Sequence, residues 1–519
     1  MVNIVDSGSK HAPQEMEQFL PGEGKVICSN SVAREFHCQH IRNRFDSVAS
    51  FSCVQTIAPI SMKMSDLEPT NVELRYKIQP RKSDTEQALA GNDFDPFALR
   101  DNPHPTTDNE TLTHLLKASL GTGILGMPFA FMCSGLIMGI FSTIFTAFIC
   151  THCSYVLVKC GHKLYYRTRR TKMTFAEIAE AAFQKGPKWC RGFAPVAKFS
   201  ILFGLFLTYF GTCSVYTVIV ASNFEQLISH WTGTPVSLRM LICIMLVPLI
   251  LIAWVPNLKY LAPVSMVANV FMGLGLGITF YYLVQDLPPV QERESVVWST
   301  LPQFFSITIF AMEAIGVVMP LENNMKTPQS FLGICGVLSQ GMSGVTLIYM
   351  LLGFLGYLRY GSATGESITL NLPIEQWPAQ TVKVLISLAV YCTFGLQFFV
   401  CLEIIWDGIK EKCKKRPTLV NYVLRTVLVT AAVVLAVAVP TIGPFMGLIG
   451  AFCFSILGLI FPVVIELIVH WETGFGKYNW ILWKNAIITL CGIGALVFGT
   501  QAAIKDIVKA YSNNENVGE

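Results

Sequence analysis

The chain has 519 residues, of which 52% are hydrophobic and 14% are charged. Soluble domains usually carry about 25% charged residues, so this composition and a mean hydropathy of +0.49 indicate a protein with many membrane spans. The net charge of +4 is too small to predict a nucleic-acid partner.

Residues 1–110 form a polar segment with 16 acidic and 11 basic side chains and no sustained hydrophobic period. A segment of this composition buries too little apolar surface to fold alone. We therefore predict a disordered N-terminal tail over 1–110 that offers sites to signalling partners. The first 30 residues have no continuous apolar run, so we expect no cleaved signal peptide.

Eleven apolar runs follow the tail, each close to the roughly 20 residues that a membrane-spanning helix needs. They predict an all-α polytopic membrane protein that contacts the lipid bilayer over residues 111–506, with a short C-terminal tail at 507–519. The predicted spans lie at about 112–133, 135–158, 192–221, 238–255, 260–284, 302–322, 331–356, 380–406, 420–439, 443–469 and 480–506.

Lysines and arginines lie mostly on one side of these predicted spans. The loops after the even-numbered spans hold 17 of them, including nine in 159–191 and five in 410–416, whereas the opposite loops hold about three. Cytoplasmic loops carry an excess of Lys and Arg. This asymmetry predicts a cytosolic N-terminus and, with an odd number of spans, an extracellular or lumenal C-terminus.

The first predicted span is apolar, yet it carries Gly121, Gly123, Gly126 and Pro128 near its middle. Glycine and proline weaken a helix, and a break at membrane depth is tolerated only where it is buried in protein or lines a cavity. A half-helix that begins there directs free N–H groups at an anion such as a substrate carboxylate.

Two interpretations of this motif are open. Small residues also let helices pack closely, but Gly121 and Gly123 are two positions apart and do not share a helix face. We therefore favour an unwound substrate-binding loop that starts at Gly121. In such a loop the N–H groups of Thr122, Gly123 and Ile124 bind the carboxylate, and the carbonyl groups that end the first half-helix bind the ammonium group.

The sixth predicted span carries an acid, Glu313, followed by Gly316 and Pro320. Interrupted spans at matching positions indicate a binding site at the midplane, and an offset of five spans predicts an inverted 5+5 repeat with one extra helix. A carboxylate inside a span is costly and is by default a functional candidate. Glu313 is a candidate for substrate binding or for proton coupling, and the alternative is a structural, protonated side chain.

His114 lies seven residues before Gly121, which is roughly 10 Å towards the predicted cytosolic side at about 1.5 Å per residue. Histidine changes its charge near neutral pH, so His114 is a candidate proton-coupling residue. The alternative is a solvent-exposed histidine at the end of its span with no role in coupling. Lys117, one turn further on, disfavours a charged His114 if both side chains face inward.

Three aromatic residues, Phe310, Tyr209 and Tyr216, are candidates for the walls of the substrate pocket. Aromatic side chains in spans more often face lipid or the protein core, which is the alternative for each of them. The sequence holds no Cys/His pattern with metal-ligand spacing, no nucleophile motif and no phosphate-binding loop. We therefore predict no metal, no cofactor other than H⁺ as the coupling ion, and no enzyme activity.

Charged residues near the ends of predicted spans are expected to be solvated. Glu322 follows Pro320 at the predicted cytosolic end of span 6. Lys383 and Glu403 lie near opposite ends of span 8. We predict that all three lie at the rim of the membrane, where their charges contact water.

Three motifs resemble one family of transporters. They read THLLKASLGTGILGMPFAF at 113–131, FAMEAIGVVMPLENNMKTP at 310–328 and GYLRYGSATGESITLNLP at 356–373. They are similar to the amino acid/auxin permease family, and specifically to its proton-coupled amino acid transporter branch. The segment FDPFALRDNPHPTTDNETLTHLL, which overlaps the first motif, resembles the pathetic-like members of that branch, and the likeness covers roughly 94–506.

The resemblance implies a LeuT-like fold, with spans 1–5 and 6–10 as inverted repeats and span 11 appended. It implies symport of small neutral amino acids such as glycine, alanine and proline with H⁺. The family's proton-coupling histidine falls on His114. Its span-6 motif falls on Glu313, with Ala314 in place of the first glycine of the Gly-Ile-Gly that follows the glutamate.

The resemblance also implies a plasma-membrane or an endosomal/lysosomal location. Two other functions stay open at this point. One is an amino acid-sensing transceptor that reports through the long tail and transports little. The other is a Na⁺-coupled or facilitative amino acid transporter, and uptake by vesicles with and without Na⁺ distinguishes it from a proton-coupled one.

Overall fold

The computed structural model describes residues 94–256, 258–312, 314–411 and 416–515. Most of the predicted tail, residues 1–93, and the candidate Glu313 therefore lie outside the described residues. The described part of the chain is helical, and its β-structure is an isolated bridge between Thr106 and Met325.

Seventeen α-helices are numbered in chain order over the described residues. They are α1 (Asp108–Ser119), α2 (Met127–Ser134), α3 (Leu136–Thr168), α4 (Phe175–Gln184), α5 (Ala194–Thr232), α6 (Leu238–Ile244), α7 (Leu246–Ala253), α8 (Leu258–Leu283), α9 (Leu301–Met312), α10 (Ile315–Asn324), α11 (Val337–Tyr360), α12 (Trp377–Ile409), α13 (Pro417–Ala438), α14 (Ile442–Ile449), α15 (Phe461–His470), α16 (Trp480–Gly494) and α17 (Thr500–Glu515). Two π-helical segments, Gly450–Ile460 and Ala495–Gly499, join α14 to α15 and α16 to α17.

Within the described ranges, nine helices are long and apolar enough to cross a membrane. The pair formed by Asp108–Ser119 and Thr122–Ser134 makes a tenth if it is counted as one span. The predicted span at 238–255 corresponds to a shorter apolar stretch, Leu238–Ala253, which is divided into α6 and α7. An all-α polytopic membrane fold is therefore confirmed, whereas the count of eleven spans and the 5+5 repeat stay predictions.

Two helices begin at a capping box, in which a threonine and a glutamate bond each other's backbone N–H groups. Thr107 and Glu110 form it at the start of α1, and Thr174 and Glu177 form it at the start of α4. Helix α1 therefore begins at Asp108, before the predicted start of span 1 at 112. Helix α4 was not predicted, because it is a single short helix inside the basic loop.

The helices alternate between two faces of the bundle. The basic face carries the loop after α3, which contacts Asn102 before α1 and Asn323 at the end of α10. The opposite face carries the loops at 284–300 and 361–376. On the opposite face Gly135 has φ +85°, and a Cβ added there would lie 2.7 Å from the backbone of Ser295. Only glycine allows this close approach without strain. The 284–300 loop therefore packs directly against the turn between α2 and α3.

Candidate substrate site

The helix of span 1 is broken at the glycine-rich motif. Helix α1 ends at Ser119, Gly121 is extended with φ −84° and ψ −160°, and a 3₁₀ turn over Thr122–Gly126 leads into α2. The two halves of the span are bent by 47°. The predicted break at Gly121–Gly126 is therefore present in the structure.

The break leaves backbone N–H groups available to a ligand. The first N–H groups of a helical turn have no partner within that turn, and Thr122 and Gly123 open the 3₁₀ turn. The N–H of Ile124 donates to the Gly121 carbonyl at 3.4 Å, which is longer than the usual distance of about 3 Å. All three residues are buried, so these donors lie away from bulk water.

The carbonyl end of α1 is partly occupied by the protein itself. The Tyr349 hydroxyl donates to the Ser119 carbonyl at 2.5 Å, and the Gly121 N–H donates to the same oxygen at 2.8 Å. The Ser119 carbonyl is thus less available for a substrate ammonium group than the sequence suggested. Within the described part of the chain, the buried Ser119 hydroxyl has no hydrogen-bond partner, and it stands next to the break.

The regular helix of span 6 is interrupted at Ala314, which has φ −116° and ψ 5°. Helix α9 ends at Met312, and α10 begins at Ile315 with Ala314 as its N-cap residue. The Ala314 carbonyl accepts bonds from the N–H groups of Val317 and Val318 at 2.9 and 3.2 Å. Glu313 lies outside the described residues, so its roles in substrate binding and proton coupling stay predictions.

The two interruptions touch each other through Gly123. A Cβ added at Gly123 would lie 2.6 Å from the Cα and 2.9 Å from the Cβ of Ala311, which is close to the break in span 6. By contrast, a Cβ added at Gly121 would lie within 4 Å of only the Tyr216 hydroxyl among the described atoms, at 3.9 Å. Gly123 is therefore needed for the contact between the two spans, and Gly121 is less closely packed by the described residues.

Two tyrosines of α5 lie next to the breaks in spans 1 and 6. Tyr209 and Tyr216 are seven residues apart and share a helix face. The Tyr216 hydroxyl lies beside Gly121 and accepts a bond from Gln397 at 3.4 Å. The Tyr209 hydroxyl lies beside Gly316, where an added Cβ would be 2.5 Å away. Both tyrosines thus lie where a pocket between the breaks would have its wall.

The other candidates lie around this centre. Phe310 is buried and packs edge-to-face on Phe454 of the π-helical segment, with 6.0 Å between ring centroids. His114 and Lys117 lie on an exposed face of α1, one turn apart. Tyr349 and Gln397 were not predicted, because nothing in their spacing along α11 and α12 marks them as neighbours of the break.

Comparison with known proteins identifies the family of the chain. The profile of the family described as "Transmembrane amino acid transporter protein" matches residues 104–505. The chain belongs to the transmembrane amino acid transporter family. This membership confirms the resemblance to amino acid/auxin permeases and the prediction that the chain is not an enzyme.

Two relatives of this transporter carry descriptive names. The chain is 90% identical over all 519 residues, and over the whole of the relative, to "Proton-coupled amino acid transporter-like protein pathetic" of Drosophila melanogaster. It is 24% identical over 422 residues, which is 77% of this chain and 92% of the relative, to "Amino acid transporter ANT1" of Arabidopsis thaliana.

Solved structures of other transporters overlap with this one more weakly. One is Mhp1, a nucleobase-cation-symport-1 family transporter in a closed conformation with bromovinylhydantoin bound. It has a TM-score of 0.42 and 15% identity, and the match covers 79% of this chain and 96% of the Mhp1 chain. MhsT in complex with L-phenylalanine has a TM-score of 0.41 and 12% identity, covering 78% and 100%. TM-scores below 0.5 do not establish a common fold.

Glu322 of this transporter is buried, contrary to the prediction that it is solvated. Its carboxylate accepts bonds from Arg100 at 2.8 Å and from Tyr165 at 3.0 Å, and it lies 2.9 Å from His162. Arg100 and Glu322 are 3% and 0% exposed. The error arose because the segment before α1 folds back over the end of α10, which the sequence around Glu322 cannot reveal.

The segment before α1 also joins the two half-helices on the basic face. The Thr106 N–H donates to the Asn324 carbonyl at 2.9 Å, and the Lys326 N–H donates to the Thr106 carbonyl at 2.9 Å. The Thr327 hydroxyl donates to Asp108 at 2.6 Å. Helices α1 and α10 are therefore linked as one unit beyond the site.

Lys383 is the second charged residue whose predicted exposure is wrong. Its side chain is completely buried, where it donates to the Gln226 side chain at 2.6 Å and to the Thr369 carbonyl. The 361–376 loop packs into the bundle and supplies this carbonyl. The lysine thereby ties the loop to α5 and α12, which no local pattern in span 8 could indicate.

Proposed function

We propose that this transporter is a proton-coupled symporter of small neutral amino acids of the glycine, alanine and proline class, working by alternating access. The observation that carries the proposal is the break in span 1, where buried N–H groups of Thr122 and Gly123 stand in contact with the interrupted span 6. Oriented N–H groups at the start of a helix bind an anion, which in an amino acid is the carboxylate.

The size of the space favours a small substrate. Beside Gly121 an added methyl group would touch only the Tyr216 hydroxyl among described atoms within 4 Å, whereas Gly123 is closed off by Ala311. The Tyr209 and Tyr216 hydroxyls lie beside Gly316 and Gly121, where they would limit the length of a substrate side chain. The Ser119 hydroxyl, which has no hydrogen-bond partner among the described residues, is an additional candidate ligand for the substrate, because a buried hydroxyl without a partner is costly.

The exposure of the two half-spans differs in the direction that alternating access requires. Towards the basic face, His114, Lys117 and Ala118 of α1 are exposed, and Gly316 and Val317 of α10 are partly exposed. Towards the opposite face, α2 is mostly buried. We assign this arrangement to a state that is closed on the opposite face and open towards the basic face.

We assign the coupling proton to His114 on the exposed face of α1, with Glu313 as the other candidate. The name of the relative that is 90% identical, a proton-coupled amino acid transporter-like protein, supports H⁺ as the driving ion.

The proposed orientation follows the distribution of basic residues. The basic face is cytosolic, the opposite face is extracellular or lumenal, and the host membrane is the plasma membrane or an endosomal or lysosomal membrane. Signalling partners bind the N-terminal tail.

Uptake by purified protein in proteoliposomes tests this function. Labelled alanine is supplied at an external pH below the internal pH, without Na⁺, and then at equal pH. We expect uptake that rises with the H⁺ gradient and collapses when a protonophore removes it. Uptake that needs Na⁺ or ignores pH would remove the proton from the mechanism. Binding without uptake would favour an amino acid-sensing transceptor.

A further inference from the structure

A glutamate of the 361–376 loop bonds the start of a spanning helix. The Glu366 Oε2 atom accepts a bond from the Ile442 N–H at 2.6 Å and another from the Gly443 N–H at 3.0 Å. These are the first two residues of α14. The carboxylate therefore occupies the N-terminus of α14, where the helix dipole stabilises negative charge.

Three segments of the opposite face meet at this contact. A Cβ added at Gly443 would lie 2.7 Å from the ring of Phe129 and 3.4 Å from the Cγ of Glu366. Phe129 belongs to α2, the outer half of the broken span. The contact of Glu366 with Ile442 and Gly443, which we name the outer latch, thus ties the loop to the start of α14, next to Phe129 of α2.

The geometry of the outer latch accommodates a proton. Both N–H bonds go to the same oxygen, Oε2, and a protonated carboxyl keeps one oxygen that is purely an acceptor. A proton on Oε1 therefore leaves both bonds in place. Loss of the negative charge then removes the cost of holding a carboxylate partly away from water.

Burial of the Glu366 carboxyl favours its protonated form. Burial raises the pKa of the Glu366 carboxyl above its ordinary 4.5, the Gly443 and Ile442 N–H groups lower it, and the Asp506 carboxylate raises it further. Asp506 lies on α17 and itself interacts with Lys509. The segments that bring Ile442, Gly443 and Phe129 to the latch contribute N–H groups and an aromatic ring rather than charges.

We propose that Glu366 is a proton-binding site on the opposite face and that a proton taken up there from the external solution holds the outer latch closed. This inference rests on the proposed function, in which that face is extracellular or lumenal. A carboxyl whose pKa is higher in the closed arrangement than in water binds its proton more tightly when closed. Acid therefore stabilises closure, and the stabilisation is lost as the pH rises from 4.5 through the raised pKa of Glu366.

The proposal gives the proton a role in the transport cycle. A proton and a substrate that arrive from the acidic side would together favour closure behind them, which turns the site towards the basic face. Glu366 would act in addition to His114 and Glu313, because it lies in a loop rather than beside the breaks. It is a positioning residue, since it acts through α14 and α2.

Hydrogen–deuterium exchange on the full chain in nanodiscs tests the outer latch. The measured quantity is protection of the amides in 440–447 at pH 5 and pH 8, after correction for the intrinsic exchange rates. In the unaltered protein we expect greater protection at pH 5, with a change of at most about tenfold per pH unit for one proton. Greater protection at pH 8, or no difference, would overturn the proposal.

Three variants sharpen the test. Glu366→Gln keeps an acceptor oxygen without the charge, so we expect high protection at both pH values. Glu366→Ala removes the acceptor, so we expect low protection at both. Glu375→Gln changes a more accessible acid of the same loop and should keep the pH dependence. Protection that still follows pH in the Glu366→Gln variant would contradict the proposal, even if the alanine variant failed to fold.

Uptake by the same proteins in proteoliposomes tests the proposed function separately from the outer latch. Acid-stimulated uptake by the unaltered protein, combined with pH-independent protection of 440–447, would refute the outer latch alone. Absence of any pH-dependent uptake would refute the proposed function. We expect Glu366→Gln to lose part of the acid stimulation that Glu375→Gln retains.

Discussion

Gly123→Ala is the substitution that most directly perturbs the contact between the two interrupted spans. Its methyl group would lie 2.6 Å from the Ala311 Cα, whereas ordinary contact begins at 3.4 Å, so the backbones must separate by 3.4 − 2.6 = 0.8 Å. Overpacking of this kind costs about 1–3 kcal/mol, which corresponds to about a 5- to 150-fold shift between two states.

The matched control is Gly121→Ala, two residues earlier in the same motif. Its methyl group would meet only the Tyr216 hydroxyl at 3.9 Å among described atoms within 4 Å, and the extended backbone of Gly121 suits alanine. We expect its stability to change by less than about 0.5 kcal/mol. Because its methyl group points into the substrate space, we expect it to discriminate against larger amino acids.

The assay is the initial rate of labelled glycine and alanine uptake at equal amounts of reconstituted protein, together with thermal unfolding in detergent. Gly123→Ala should lower the unfolding temperature and reduce uptake of both substrates by at most the factor given above. Gly121→Ala should lose alanine uptake more than glycine uptake. Equal uptake by Gly123→Ala and the unaltered protein, or equal losses in the two variants, would refute the packing of the breaks described here.

Three further predictions concern the charged residues. Arg100→Gln or Glu322→Gln should lower the unfolding temperature, because breaking a buried ion pair costs about 3–5 kcal/mol, and the double variant should recover part of the loss. Lys383→Met should also lower the unfolding temperature, because it leaves buried acceptors without a donor at a cost of about 1–3 kcal/mol each. Lys410→Met, near the surface, should leave the unfolding temperature unchanged. His114→Ala should leave unfolding unchanged within about 0.5 kcal/mol and flatten the pH dependence of uptake.

Each of these predictions has a result that contradicts it. Single variants of Arg100 and Glu322 that unfold like the unaltered protein would mean that the pair adds no stability. Equal unfolding temperatures for Lys383→Met and Lys410→Met would mean that the loop does not depend on the lysine. An unchanged pH profile in His114→Ala would move the proton site to Glu313 or Glu366.

The break in span 1 was predictable because its cause is local. Residues of the types found at Gly121, Gly123 and Pro128 weaken any helix. A break at membrane depth indicates a functional site, because it is tolerated only where it is buried in protein or lines a cavity. The seven-residue spacing of Tyr209 and Tyr216 is likewise enough to put them on one face of a helix. Local chemistry of this kind is visible along a single stretch of sequence.

The misplaced residues have partners that are distant along the chain. Glu322 is buried by Arg100, which is 222 positions away, and Lys383 is buried with Gln226, which is 157 positions away. Hydropathy predicts how deep a residue lies in the membrane but not which loop covers it. Glu366 lies within one of the motifs that resemble the family, yet nothing near it in sequence predicts its contact with Ile442.

Backbone N–H groups at the break in span 1 are expected to hold the carboxylate of an amino acid. A structure of the full chain determined with alanine bound tests this expectation most directly. We predict carboxylate oxygens within about 3 Å of the Thr122 and Gly123 nitrogens, as expected for N–H···O bonds. Alanine bound elsewhere, or with its ammonium group at these nitrogens, would contradict the account.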